Sequence, residues 1–178
     1  MGWLGRLVKI KKPARLIDIF TAVIKGLPGR QLHLIIGGAG PLEEAVGEQI
    51  SRAGLKTRAH MAGLTSDLPQ FYADLDLMIL TSDNEGTPAA LIEAQAAGVF
   101  SIAPAVGGIP DIVRPKYGTV VAPNTVESYV EILTRLLARP PLPIIGINDR
   151  QATVKRFAPE RRVDEIDKLY GKLLPSIH

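Results

Sequence analysis

Two carboxylates, Glu85 and Glu93, stand with seven residues between them in the stretch Thr81-Ser82-Asp83-Asn84-Glu85-Gly86-Thr87-Pro88-Ala89-Ala90-Leu91-Ile92-Glu93-Ala94-Gln95-Ala96-Ala97-Gly98. Carboxylates are poor ligands for phosphate but good acceptors for hydroxyls, and each charge-assisted hydrogen bond contributes roughly 1.5–3 kcal/mol. Between the two lies Gly86, which has no Cβ to hold a ligand off the backbone. A helix also starts there, and its unpaired N–H groups and macrodipole favour an anion. An anion site with hydroxyl acceptors on either side suits a nucleotide sugar. Near the amino end, Arg6, Lys9, Lys11, Lys12 and Arg15 gather positive charge that such a ligand needs.

The elements that must position these residues read as strands alternating with helices. The apolar run 75–80, short and bounded by polar residues, predicts a buried parallel strand leading into Glu85. Thr87 is expected to cap the next helix, Pro88 to sit in its first turn and Gly98 to end it. The alanines at 89, 90, 94, 96 and 97 allow that helix to approach the sheet closely. Residues 3–8 read as the first strand, which puts the basic group at its carboxyl end, where open parallel sheets bind ligands.

Further strands are expected over 32–36, 57–61, 99–103 and 118–123, and helices over 15–25, 41–53, 68–73 and 126–138. Arg139-Pro140-Pro141-Leu142-Pro143 breaks the last of these, and two helical stretches, about 148–156 and 159–174, form a tail. Six strands with flanking helices predict an α/β fold, a doubly wound Rossmann-like parallel sheet. The chain reads as one domain, 1–178, with a core over about 1–140 and a helical tail over about 141–178.

Composition narrows the function classes. The 46% hydrophobic and 22% charged content are those of an ordinary soluble globular protein. The chain has no cysteine, which removes disulfides and thiolate metal sites and fits the cytosol. No apolar run approaches the ~20 residues of a membrane helix. Net charge is +3, with a pI near 9.3. That suits a small anionic ligand or an acidic membrane surface and is too diffuse to argue for nucleic acid. His33 and His60 are assigned no chemistry.

Taken in order, several motifs resemble the C-terminal, donor-binding half of the group 1 (GT4) retaining glycosyltransferases of the GT-B fold. They are Gly5-Arg6-Leu7-Val8 with Lys11 five residues after the arginine, Gly38-Ala39-Gly40-Pro41, Glu85-Gly86-Thr87-Pro88 through Leu91-Ile92-Glu93-Ala94, Ala97-Gly98, and Gly107-Gly108-Ile109-Pro110-Asp111. The resemblance spans nearly the whole chain. It implies that Arg6 and Lys11 hold the donor diphosphate, that Glu85 holds sugar hydroxyls as the catalytic candidate, and that Glu93 holds the ribose. Amides around Gly86 and Thr87 would add hydrogen bonds. No metal or other cofactor is implied, the nucleotide diphosphate sugar being a substrate. Asp111 departs from the usual glutamate by one methylene; Gln95 for methionine and Val99 for proline are further departures, and neither removes a ligand group.

The resemblance also implies a partner, an N-terminal acceptor-binding domain that this chain lacks, and a tail helix that crosses back to it. The isolated chain is therefore expected to bind donor weakly and to transfer nothing alone. A cytoplasmic location is expected, with peripheral contact at the inner face of a membrane. A non-catalytic nucleotide-sugar-binding module is the alternative. An epimerase or hydrolase needs acid and base residues the sequence does not display. A dinucleotide-dependent oxidoreductase is disfavoured because Glu43 stands where the third glycine after Gly38 and Gly40 belongs.

Overall fold

The structure, a computed structural model, describes residues 1–139 and 141–174. Pro140, expected to help end the helix before it, and tail residues 175–178 lie outside the described residues. In chain order the elements are β1 (Gly2–Leu4), α1 (Pro13–Gly26), β2 (Leu34–Gly37), α2 (Glu43–Arg52), β3 (Ala59–Gly63), α3 (Leu68–Ala73) and β4 (Leu77–Ile79). They continue with α4 (Ala89–Ala97), β5 (Phe100–Pro104), α5 (Ile109–Ile112), β6 (Gly118–Val121), α6 (Val126–Leu137), α7 (Ile147–Phe157) and α8 (Pro159–Leu173). The strands form one six-stranded sheet in the order β3-β2-β1-β4-β5-β6, every pairing parallel.

Both faces of that sheet are covered, as the doubly wound prediction requires. Successive strand residues point to opposite faces. Thus Leu77 and Ile79 join one apolar cluster with Leu16, Phe20 and Leu133, while Met78 and Leu80 join the other with Leu91 and Ile112. Helices α1, α2 and α6 therefore cover one face, and α3, α4 and α5 the other. The near-continuous apolar run of β4 follows directly from burial on both sides.

Two boundaries differ from expectation in ways that matter to the site. β1 stops at Leu4 instead of reaching residue 8, because the chain leaves the sheet for the β2–α2 loop: Leu7 N donates to Ala39 O at 3.0 Å and Leu42 N donates to Leu7 O at 3.0 Å. Helix α4 begins at Ala89, with Pro88 as its N-cap in extended backbone and no side-chain cap. Thr87 is thus not the cap: Pro88 itself stays extended at φ −71° and ψ 109°, which moves the start one residue downstream. Gly98 does end α4 in left-handed conformation at φ 92°. Asp67 caps α3 by accepting from Gln70 N at 3.0 Å.

The tail divides into two parts. α7 packs on α4, with Arg150 Nε donating to Ala96 O at 3.1 Å. α8 buries none of its residues and exposes Val163, Ile166, Leu169, Tyr170 and Leu173 in helical spacing.

Candidate functional site

In a sheet of this order the connections from β1 and from β4 leave in opposite directions, which opens a crevice at the carboxyl ends of these two neighbours. Each residue that could do chemistry is delivered to that crevice by one of the two exits.

The β1 exit carries Arg6 and Lys11. Its backbone rests on the β2–α2 loop, where two glycines permit contact that no Cβ allows. A Cβ on Gly38, at φ 115°, would lie 2.0 Å from Gly5 O, and one on Gly40 would lie 2.6 Å from Leu7 O. The Gly38-Ala39-Gly40 turn thereby holds the segment bearing Arg6. A 3-10 turn over Lys9–Lys11 follows, and Lys12 reverses the chain into α1 at φ 49°, a left-handed conformation unfavourable for lysine. What holds it there is Thr81, whose hydroxyl lies 3.0 Å from Lys11 O and 3.1 Å from Lys12 O.

The β4 exit carries Glu85. Beyond β4 three successive carbonyls accept side-chain donors from other elements: Tyr129 Oη to Leu80 O at 2.8 Å, Arg15 Nη1 to Thr81 O at 2.9 Å, and Asn124 Nδ2 to Ser82 O at 3.0 Å. Such groups are costly to leave unpaired, so these donors fix the path of the loop. Asp83 is gripped from the β1 side, by Arg15 at 2.8 Å and Lys12 at 2.9 Å. Burial pushes its carboxyl up, but the hydrogen bonds from Lys12 and Arg15 outweigh that and hold it below the ordinary carboxylate range.

Glu85 is 8% exposed, and its Oε1 accepts from Lys11 Nζ and from Ser82 Oγ, each at 2.6 Å. Glu93 lies in the second turn of α4, where Tyr72 Oη donates to its Oε2 at 2.8 Å. Burial, and then the adjacent Glu93 carboxylate, push the Tyr72 phenol well above its usual pKa, so it stays a donor. Among the described residues the other oxygen of each glutamate makes no hydrogen bond. Arg6, Lys11, Glu85 and Glu93 all line one cavity of about 420 Å³, with Gly5 and Pro88 between them. Gly86 and Thr87 lie on the exposed bend between Glu85 and Pro88 and do not line it. The β5–α5 loop packs under this bend: Gly108 N donates to Glu85 O at 3.2 Å, and Gly107 sits at φ 52° against the same carbonyl.

Sequence reasoning placed the four charged residues and missed the groups that hold them. Ser82 stands in the same stretch, three residues before Glu85, and its residue type announces no role. In the sequence Tyr72 is only one residue of a short helix, although a buried tyrosine hydroxyl generally finds a partner and so points to one. A larger cavity of about 690 Å³ opens at the opposite rim, beside Gly29, Arg30, Asp76 and Gly98. Its arginine is already committed, donating twice to Leu137 O at 2.6 and 3.0 Å. Among the described residues no set of chemical groups converges there.

The sequence profile of the family described as glycosyl transferases group 1 matches residues 1–152. The UDP-Gal:alpha-D-GlcNAc-diphosphoundecaprenol alpha-1,3-galactosyltransferase of Escherichia coli is 27% identical over 168 residues, covering 93% of this chain and 43% of that protein. The crystal structure of HepE from Anabaena, in complex with UDP, superposes with a TM-score of 0.82 at 23% identity, covering 96% of this chain and 48% of that one. The C-terminal domain of the group 1 family glycosyl transferase LpcC from Francisella tularensis superposes with a TM-score of 0.72 at 23% identity, covering 88% of this chain and 84% of that one. The chain thus spans less than half the length of the Escherichia coli relative, and its fold is one half of a GT-B architecture.

Proposed function

Because the chain belongs to the group 1 glycosyl transferases, we propose that it forms the donor-binding half of an enzyme moving a sugar from a nucleotide diphosphate sugar to an acceptor, with retention of configuration. The observation that carries this reading is the convergence of Arg6, Lys11, Glu85 and Glu93 on one cavity at the switch point of the sheet. Arg6 and Lys11 neutralise the diphosphate, on which negative charge grows as the glycosidic bond opens; stabilising that charge is the main chemical task. Lysine has three donor hydrogens, so Lys11 can keep its bond to Glu85 while donating to phosphate. Glu85, with one oxygen committed to Lys11 and Ser82, offers the other to sugar hydroxyls. Glu93 does the same for the ribose, and the backbone at Gly86 and Thr87 approaches the ligand from the rim. We assign no metal or other cofactor to the site.

The partner in this reading is a second domain that binds the acceptor, and transfer requires it. The Escherichia coli relative is named for a diphosphoundecaprenol acceptor, which supports work at the inner face of a membrane, from the cytoplasm, for the full enzyme. None of the described helices is long and apolar enough to cross one.

Ligand-observed NMR against a panel of nucleotide sugars tests the site. The chain binds its donor with a dissociation constant on the order of 0.1–1 mM or weaker, and Arg6→Ala, Glu85→Ala and Glu93→Ala abolish that signal. Wild-type binding in all three variants overturns the site. Donor binding without transfer, even after a matching acceptor domain is joined, converts the reading to that of a binding module.

A further inference from the structure

We propose that Tyr72 is a positioning residue for donor recognition, setting the Glu93 carboxylate for the ribose; the assignment rests on the reading of Glu93 given above. The geometry is one-sided. Tyr72 is 2% exposed, and its ring is wedged within the apolar cluster of α3, α4 and α5, edge-on to Phe71 at 5.6 Å between centroids. A ring so clamped presents its hydroxyl at a fixed point. Glu93 is half-buried at the cavity wall and carries three side-chain torsions, so it has no fixed position of its own.

The Tyr72 hydroxyl has one proton and two acceptors in reach, Glu93 Oε2 at 2.8 Å and Ala90 O at 3.2 Å. Ala90 O already has a helical partner four residues on, while the carboxylate is closer and charged, so the proton goes to Glu93. One carboxylate oxygen is thereby anchored and the other is left in a defined place at the cavity. The arrangement pre-organises an acceptor for a vicinal diol before any ligand arrives, and the loss of side-chain freedom that binding would otherwise cost has already been met on folding.

The test is nucleotide affinity by ligand-observed NMR, using whichever of UDP and GDP the wild-type chain binds better, together with its 2′-deoxy and 3′-deoxy counterparts. Variants are Tyr72→Phe, which deletes one oxygen and keeps the ring, and Glu93→Gln. Tyr72→Phe is expected to weaken the ribonucleotide by roughly three- to tenfold while leaving affinity for the deoxynucleotide that Glu93 discriminates against unchanged, so that the ratio between the two collapses. A purely structural tyrosine would weaken all nucleotides alike and leave the ratio intact; that outcome overturns the proposal. A weakened Glu93→Gln beside a wild-type Tyr72→Phe overturns the positioning role alone. Wild-type behaviour of Glu93→Gln, or binding of neither nucleotide, overturns the ribose reading and this assignment with it.

Discussion

Lys11 and Glu85 are 74 positions apart in the chain and 2.6 Å apart in the fold. The pair bolts the exit of β1 to the exit of β4, and it is unequal: the lysine side chain is 25% exposed and the glutamate 7%. Removing the lysine strands a nearly buried carboxylate, with Ser82 as its remaining partner.

Lys11→Ala is therefore expected to destabilise the chain by about 1–3 kcal/mol. The double variant Lys11→Ala/Glu85→Gln should cost less than the sum of its parts, because the stranded charge is gone. Urea unfolding of the wild type, the two single variants and the double variant checks this.

Two glycines beside the backbone of Glu85 separate folding from binding. A Cβ on Gly107 would stand 1.7 Å from Glu85 O, whereas one on Gly86 meets nothing within 4 Å. Gly107→Ala should lose both thermal stability and donor binding, since the loop must move and the residue sits at positive φ. Gly86→Ala should melt like the wild type and bind donor more weakly, because its Cβ stands where the ligand approaches the backbone; a thermal melt paired with NMR titration checks both.

Asp83 links the site to acid stability. Its carboxyl is held below its ordinary value of 3.8 in the folded chain, burial opposing and Lys12 and Arg15 prevailing. The stabilisation is complete above that value and is lost as pH falls through the lower, folded one. Asp83→Asn should flatten the fall in urea midpoint between about pH 5 and about pH 2. The effect is small and salt-sensitive, because the side chain is 36% exposed.

At the alkaline end the sign reverses. Burial first of all raises the phenols of Tyr72 and Tyr129 above their ordinary 10.0. The folded chain keeps protons there that the unfolded chain releases, so stability holds below about pH 10 and declines above it. Ultraviolet absorbance should show both phenols ionising only as the fold is lost, and Tyr129→Phe should reduce the alkaline slope.

Much of this was legible because the signals were local and covalent. The apolar runs, the helix-ending Gly98 and the order of motifs gave the sheet, its doubly wound character and the four charged residues of the cavity. What could not be read was spatial. Strand β1 was drawn too long because Leu7 exchanges ladder bonds for contacts with Ala39 and Leu42, which no periodicity records. Thr87 has the residue type of a cap, whereas the extended backbone of Pro88 holds the helix start back to Ala89. Ser82 and Tyr72 were passed over because their meaning lies in which atom each reaches across the fold.

The strand order also governs synthesis. Of the six strands β1 leaves the ribosome before the others and finds β2 within some thirty residues, yet its other neighbour begins only at residue 77. For roughly 4–15 s at ordinary elongation rates of 5–20 residues per second, the nascent chain carries an unfilled central edge and a lysine without its carboxylate. Half a crevice cannot select a ligand, and an open apolar strand edge invites other chains. β4 closes that edge when it slides in beside β1, and the crevice is complete only once Glu85 and Glu93, which follow it in the chain, have emerged.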